Sequence, residues 1–158
     1  MPNYSIGRKD VSMQGEKIYE YDLDVKGVTD YGVTLQAILT GEEKVPPQGL
    51  RFDVALEGSA RGRIAGQVRG FDYIRARADG RMDLDIRATI ETQDGRRIAL
   101  SADGVAMPRA AEPIADLFEN IVLSTAAEDY EWVNTRQIWG FGTVNFSAGK
   151  VHIEAYMQ

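Results

Sequence analysis

The clearest pattern of apolar and polar positions lies in Arg81–Glu91, RMDLDIRATIE. Met82, Leu84, Ile86, Ala88 and Ile90 fall on one side, and Asp83, Asp85, Arg87, Thr89 and Glu91 on the other. A period of two marks a β-strand with one buried face, because successive side chains leave a pleated backbone in opposite directions. Asp79-Gly80 precedes this stretch and Asp94-Gly95 follows it. Asp-Gly between alternating runs predicts tight hairpins of type I′, with positive φ at both central positions. The strand is therefore predicted as the middle of a meander, flanked by Phe71–Ala78 and Arg96–Val105.

Other runs extend the pattern. Lys17–Val25 sets Tyr19, Tyr21, Leu23 and Val25 against Ile18, Glu20, Asp22 and Asp24. Leu50–Glu57 carries Leu50, Phe52, Val54 and Leu56 on one face, and Val33–Leu39 reads as a strand with Val33, Leu35, Ala37 and Leu39 together. Arg63–Arg69 is a shorter strand with Gly66 between Ile64 and Val68. A glycine there marks a sharp bend or a close approach. Lys26–Gly32 is a turn or bulge. In Thr40–Gly49 the Pro46-Pro47 pair lacks two amide donors, so this loop belongs at a barrel mouth or a sheet edge. One segment has helical spacing. Pro113 suits a first helical position, and Ile114, Leu117, Phe118 and Ile121 follow, predicting a helix over Pro113–Ile121 against the sheet or plugging an open end. Thr125-x-x-Glu128 has the form of a capping box and predicts a helical turn near Ala126–Tyr130. Arg136–Phe146 and Lys150–Met157 form a final hairpin around Ser147-Ala148-Gly149. Met1–Glu16 has no clear pattern.

About nine strands, short links and one short helix predict an all-β chain. The fold expected is a single antiparallel up-and-down β-barrel, lipocalin-like in general shape, forming one domain over residues 1–158, with a sandwich as the alternative. Its core should gather Tyr19, Tyr21, Leu23, Phe52, Val54, Leu56, Leu84 and Ile86.

Composition narrows the function. A chain of 158 residues can bury a core without staples. With no cysteine there is no disulfide, thiolate metal site or cysteine nucleophile. A net charge of -6 argues against a nucleic-acid partner. Arg61, Arg63, Arg69, Arg75 and Arg77 are read as a solvated sheet face. No apolar run approaches the ~20 residues of a membrane-spanning helix, and Met1–Asp10 lacks the apolar centre of a leader peptide. The expectation is a cytoplasmic protein with no membrane partner; a homo-oligomer is compatible with the sequence. There is no Gly-x-Ser-x-Gly elbow, phosphate loop or His-Glu-x-x-His. With one histidine, no metal site is expected, and no cofactor.

Two groups of residues could carry chemistry. The first is the polar side of the central strand: Asp83, Asp85 and Arg87. Asp85 and Arg87 share a face and can reach each other or a common ligand. Outside the barrel they are ordinary solvated charges; inside, they must be paired and could hold a polar substrate. The second is carboxy-terminal: Tyr130, Trp132, Asn134, Trp139, Phe141, His152 and Tyr156. Aromatic and polar tips on one side of a hairpin suit a pocket wall, although Trp132 and Trp139 are read first as core. His152 is the first general-base candidate by its ordinary pKa.

The order Gly70-Phe71-Asp72-Tyr73, Asp79-Gly80, Leu84-Asp85-Ile86-Arg87 and Asp94-Gly95 resembles the uncharacterised family called domain of unknown function 3237. Tyr130-Glu131-Trp132-Val133-Asn134, Gly140-Phe141-Gly142 and a last strand ending in a tyrosine are similar to it as well. The resemblance runs from about Val33 to the end. It implies a small antiparallel barrel without an assigned general activity, and it points to the Asp85–Arg87 pair. The first functional expectation is a binding module for a small, mostly apolar or aromatic ligand, with Tyr130, Trp132, Asn134, Trp139, Phe141 and Tyr156 as its wall. The alternative is a cofactor-free lyase, isomerase or cyclase in which Asp72, Asp85, Arg87 and His152 supply proton transfer and charge stabilisation. A barrel filled by its own side chains would be a structural module instead.

Overall fold

The structure is a computed structural model that describes residues 14–158. The reading of Met1–Asp10, and most of the patternless stretch Met1–Glu16, lies outside these residues. Eight strands follow in order: β1 Glu16–Thr29, β2 Leu50–Gly62, β3 Gly66–Ala76, β4 Met82–Thr92, β5 Arg97–Pro108, β6 Ile114–Ser124, β7 Ile138–Asn145 and β8 Lys150–Met157. Each pairs antiparallel with the next, and β1 pairs with β8, so the ring is a closed up-and-down barrel. Closure leaves no strand edge to be satisfied by another chain.

The period of two decides what goes inside. Leu84 and Ile86 of β4 are buried, and Asp85 and Arg87 between and after them face solvent. Tyr19, Tyr21, Leu23, Phe52, Val54 and Leu56 join them in one apolar interior, as the pattern predicted. β1 departs from strict alternation at two bulges, one of them where its register against β2 shifts between Val25 and Gly27. Its register against β8 shifts between Lys17 and Tyr19, and this bulge turns Ile18 inward beside Tyr19 rather than outward with Glu20.

The meander is as expected, but its turns are not type I′. No residue other than glycine has positive φ among the described residues. Gly80 N–H donates to Arg77 O and Arg77 N–H to Arg81 O; Gly95 N–H donates to Thr92 O and Thr92 N–H to Arg96 O. Each link is a type I turn followed by a left-handed glycine, with φ of 93° at Gly80 and 84° at Gly95. That is the three-residue hairpin with a glycine bulge. Asp-Gly signals both turn types, because each needs glycine at its last special position.

The described residues form eight strands, in line with the expectation of about nine. Two further expectations are corrected. Val33–Leu39 is not a strand: Leu35–Leu39 forms a short helix, α1, with Thr34 Oγ1 accepting the Ala37 N–H at 3.1 Å. Over five residues an apolar pattern cannot separate the two periods, and the cap decides it. Pro113–Ile121 is not a helix, since Ile114–Ser124 is β6. Its inward residues are Ala115, Leu117, Glu119, Ile121 and Leu123, while Phe118 and Val122 point outward and are exposed. A charged residue inside and two apolar ones outside concealed the alternation. The capping-box region does turn helically, as a 3₁₀ turn at Glu128–Val133.

The two ends of the barrel are closed differently. At one end the 3₁₀ turn inserts buried Val133 over a floor of Ile18, Ile64, Ile90 and Ile138. At the other, α1 and the loop with Pro46-Pro47 lie over the mouth, with Leu35, Ile38 and Leu39 packed on the interior. Tyr31 O–H donates to Asp53 Oδ2 at 2.6 Å, tying the segment before α1 to β2.

Gly66 marks the close approach the sequence suggested. A Cβ there would lie 2.0 Å from Glu91 O on β4. Because the obstacle is backbone, the strands must separate to accept it. Gly66→Ala should therefore lower stability by roughly 2–3 kcal/mol, the range of an overpacked core. Denaturant melts check this, and a midpoint equal to wild type would show that β3 and β4 can spread freely.

Candidate functional site

Inside the barrel, on the α1 side, lies a cavity of about 330 Å³. All eight strands and α1 contribute to its wall, which is mostly aliphatic. Three polar side chains interrupt that wall in the interior: Tyr21, Asp72 and Glu119. Asp30, Thr34 and Gln36 stand nearer the mouth, and no Lys, Arg or His lines the chamber.

Asp72 sits at an inward position of β3, between Val54 on β2 and Ile86 on β4. It is 6% exposed. The β3–β4 pairing runs to Asp72↔Ile86 and resumes at Arg75↔Asp83. Across that gap the Asp85 N–H donates to Asp72 Oδ1 at 3.1 Å. The carboxylate thus has one fixed backbone donor and no cation.

Glu119 is also 6% exposed, at an inward position of β6. Its cross-strand neighbours are Gly104 on β5 and Gly140 on β7. Cross-strand side chains are the usual partners of a residue on a sheet. Here both are absent, so no cross-strand side chain bonds the carboxyl; a Cβ would lie 1.9 Å from Phe118 O at Gly104 and 2.7 Å from Ile121 Cδ1 at Gly140. Glu119 Oε2 and Tyr19 O–H have no hydrogen-bond partner. Tyr19 and Tyr21 stack below, ring centroids 5.6 Å apart and 20° between planes.

Burial sets the electrostatics, because an ion removed from water is penalised and neutralises instead. Burial pushes Asp72 up to about 7; the Asp85 N–H opposes the rise. Burial pushes Glu119 up to about 8, and the nearby Asp72 charge adds to it. Burial also raises Tyr19 and Tyr21 well above the ordinary tyrosine value, with Glu119 reinforcing both. The two carboxyls titrate as a coupled pair. Of the two, the bond from the Asp85 N–H favours ionising Asp72 first.

Of the residues singled out in the sequence, Asp72 alone reaches the cavity. Asp85 and Arg87 lie on the outer face, 3.5 Å apart, with side chains 53% and 72% exposed. His152 is also on the outer face. Its Nδ1 lies 2.8 Å from Asp22 Oδ1, and its Nε2 3.6 Å from carboxylate oxygens of Glu20 and Glu154. Trp139 is exposed, and Phe141 stacks on Tyr156 outside the barrel with centroids 6.1 Å apart. Tyr130, Trp132 and Asn134 belong to the closed end. Tyr130 O–H donates to Asp94 Oδ1 at 3.0 Å, the Arg63 guanidinium covers the Trp132 ring at 3.9 Å, and Asn134 exchanges two hydrogen bonds with the Thr125 backbone. Sequence reasoning missed Glu119, which it had placed within a helix, and it counted Tyr19 and Tyr21 only as core. The readable signal was a glutamate in register with Ala115, Leu117, Ile121 and Leu123.

Two outcomes follow. Asp85→Ala, Arg87→Ala and the double variant should melt together with wild type, since exposed pairs contribute little; strong coupling in this cycle would contradict their outward placement. Glu119 has a folded pKa above its unfolded value, so the native state holds a proton that the unfolded chain releases. Its neutral form supports the fold fully below about pH 4. That support falls as pH rises and is gone above about pH 8. Glu119→Gln should match wild type near pH 4 and exceed it increasingly up to pH 9, by on the order of 4 kcal/mol. A pH-independent difference in melts would show that Glu119 is not buried as an acid.

The fold is shared with solved proteins. A β-barrel-like protein of Acinetobacter baumannii AYE is 20% identical with a TM-score of 0.74, over 91% of this chain and 94% of its own. A protein of unknown function from Clostridium acetobutylicum ATCC 824 is 17% identical with a TM-score of 0.75, over 92% and 99%. An enzyme from Penicillium herquei is 19% identical with a TM-score of 0.56, over 94% and 99%. At such identities the likeness is one of fold. No curated protein matches the sequence. Residues 33–158 match the family described as protein of unknown function DUF3237, and the chain belongs to that family.

Proposed function

We propose that the protein is an acid–base enzyme that moves a proton on a small, mostly apolar substrate held in the lumen, in an isomerisation, elimination or cyclisation. Asp72 is the base and Glu119 the acid. The observation that carries this reading is the pair of buried carboxyls in one apolar cavity, one with a fixed amide donor and one with none. A base is most useful when its pKa lies near the working pH, and so is an acid. Two carboxyls held apart by environment divide the roles, as in other paired-carboxyl sites. Asp72 takes a proton from a carbon beside a carbonyl, and Glu119 gives its own to the carbonyl oxygen as the enol forms. The reverse transfers, at the same or another carbon, restore both groups. That a fold relative in Penicillium herquei is described as an enzyme supports the reading.

The largely aliphatic wall favours a second reading, a binding module in which neither carboxyl reacts. Solvent exchange separates the two. In deuterated water, small apolar ketones should gain deuterium next to the carbonyl faster with the protein than without it. The rate should rise with pH as Asp72 ionises near 7 and fall as Glu119 ionises near 8, giving a narrow bell. Asp72→Asn and Glu119→Gln should each slow exchange on the order of 100-fold or more. Exchange unchanged in both variants would leave the binding module as the better account.

A further inference from the structure

We infer that the lumen selects an uncharged ligand bearing one hydrogen-bond-accepting oxygen, a ketone or aldehyde on an apolar body, and excludes anions. The inference rests on the reading of Glu119 as the neutral donor and adds the ligand's charge class. Three features support it. First, the cavity wall contains Asp30, Asp72 and Glu119 but no Lys, Arg or His, so a carboxylate or phosphate would enter without a counter-charge. An unpaired anion in an apolar chamber is strongly disfavoured. Second, Glu119 Oε2 is buried without a partner between Gly104 and Gly140. A protonated carboxyl there is a donor in want of an acceptor, and a carbonyl oxygen supplies one. Third, Asp72, the carboxyl whose ionised form the structure bonds, is already engaged by the Asp85 N–H. An ammonium ligand would find that carboxylate partly satisfied and the other neutral. At water's share of about 30 Å³ per heavy atom, the volume takes on the order of ten non-hydrogen atoms, more if packed tightly.

The ionisable groups facing Glu119 are few. They are Tyr19 and Tyr21 on β1, Asp72 on β3, and Asp30 nearer the mouth. β2, β4, β5, β7 and β8 present only apolar side chains and glycines to the interior around it. Binding of an acceptor should therefore follow the protonation of Glu119.

Calorimetric titration of the full chain with three probes of similar shape tests this: 1-acetonaphthone, 1-naphthoate and 1-naphthylmethylammonium. The ketone should bind, and its dissociation constant should weaken about tenfold between pH 6 and pH 9 as the protonated fraction of Glu119 falls. The naphthoate should bind on the order of 100-fold more weakly than the ketone. In Glu119→Gln, whose amide still donates but does not titrate, the ketone should bind without that pH dependence. Naphthoate binding as well as the ketone, or ammonium binding better than the ketone and tightening from pH 6 to pH 8, overturns the inference. Failure of all three probes to bind at millimolar concentration overturns it too. Should Glu119→Gln fold poorly, the order of the three probes on wild type decides. A ketone that binds with this pH profile but exchanges no deuterium upholds the ligand class and sinks only the catalytic proposal.

Discussion

The structure depends on one constraint: a closed ring of eight antiparallel strands has an inside, and alternation assigns every second residue to it. Residue type does not change that assignment. An inward aspartate is dehydrated as completely as an inward leucine, while its chain neighbour stays in water. This is why Asp72 and Asp85, bonded through one amide, live in different media. The same chemistry gives a carboxyl raised to about 7 on one side of the wall and a solvated surface charge on the other.

The ends of the ring divide the interior. The 3₁₀ turn, Val133 and the surrounding isoleucines fill one end with side chains. The α1 end is covered rather than filled, by a helix too short to be stable alone and fixed at its start by Thr34. The cavity therefore lies under the part of the chain with the least structure of its own. The outer charges have a different task. Arg61 bridges β2 to Glu20 and Asp22 of β1, and His152 of β8 meets the same two residues. Such a network can steady the seam where first and last strands meet, with little consequence for the lumen.

Sequence alone revealed the wall of the barrel better than its contents. Strands with clean alternation, such as β2 and β4, were readable because every inward position is apolar or small. β6 was not, because Glu119 occupies an inward position while Phe118 and Val122 face out. The error and the site share one cause: a residue that breaks the local rule is where function is most expected. α1 was lost for a duller reason, since five residues fit either period. Asp85, Arg87 and His152 drew attention by residue type and spacing. Spacing along a strand identifies which residues share a face. The neighbouring Leu84 and Ile86 then determine that Asp85 and Arg87 face outward. Asp72 had an inward alternation of its own, between Gly70 and Ile74, but pairing it with Glu119 requires closing the ring, which no local pattern reveals.

Stability gives no reason for this interior. Buried carboxyls without cations usually weaken a fold, and apolar residues of similar size would serve it as well or better. An unfilled volume of about 330 Å³ sacrifices packing in the same place. Both costs fall at the level of Asp72 and Glu119, and neither appears at the closed end. Gly104 and Gly140 are fixed by their surroundings: a Cβ at Gly104 would lie 1.9 Å from Phe118 O, and one at Gly140 2.7 Å from Ile121 Cδ1. Neither cross-strand position can therefore hold a partner for Glu119, whose carboxyl stays buried, unbonded and part of the cavity wall. An acid both dehydrated and reachable is the combination that proton transfer to a small apolar molecule requires.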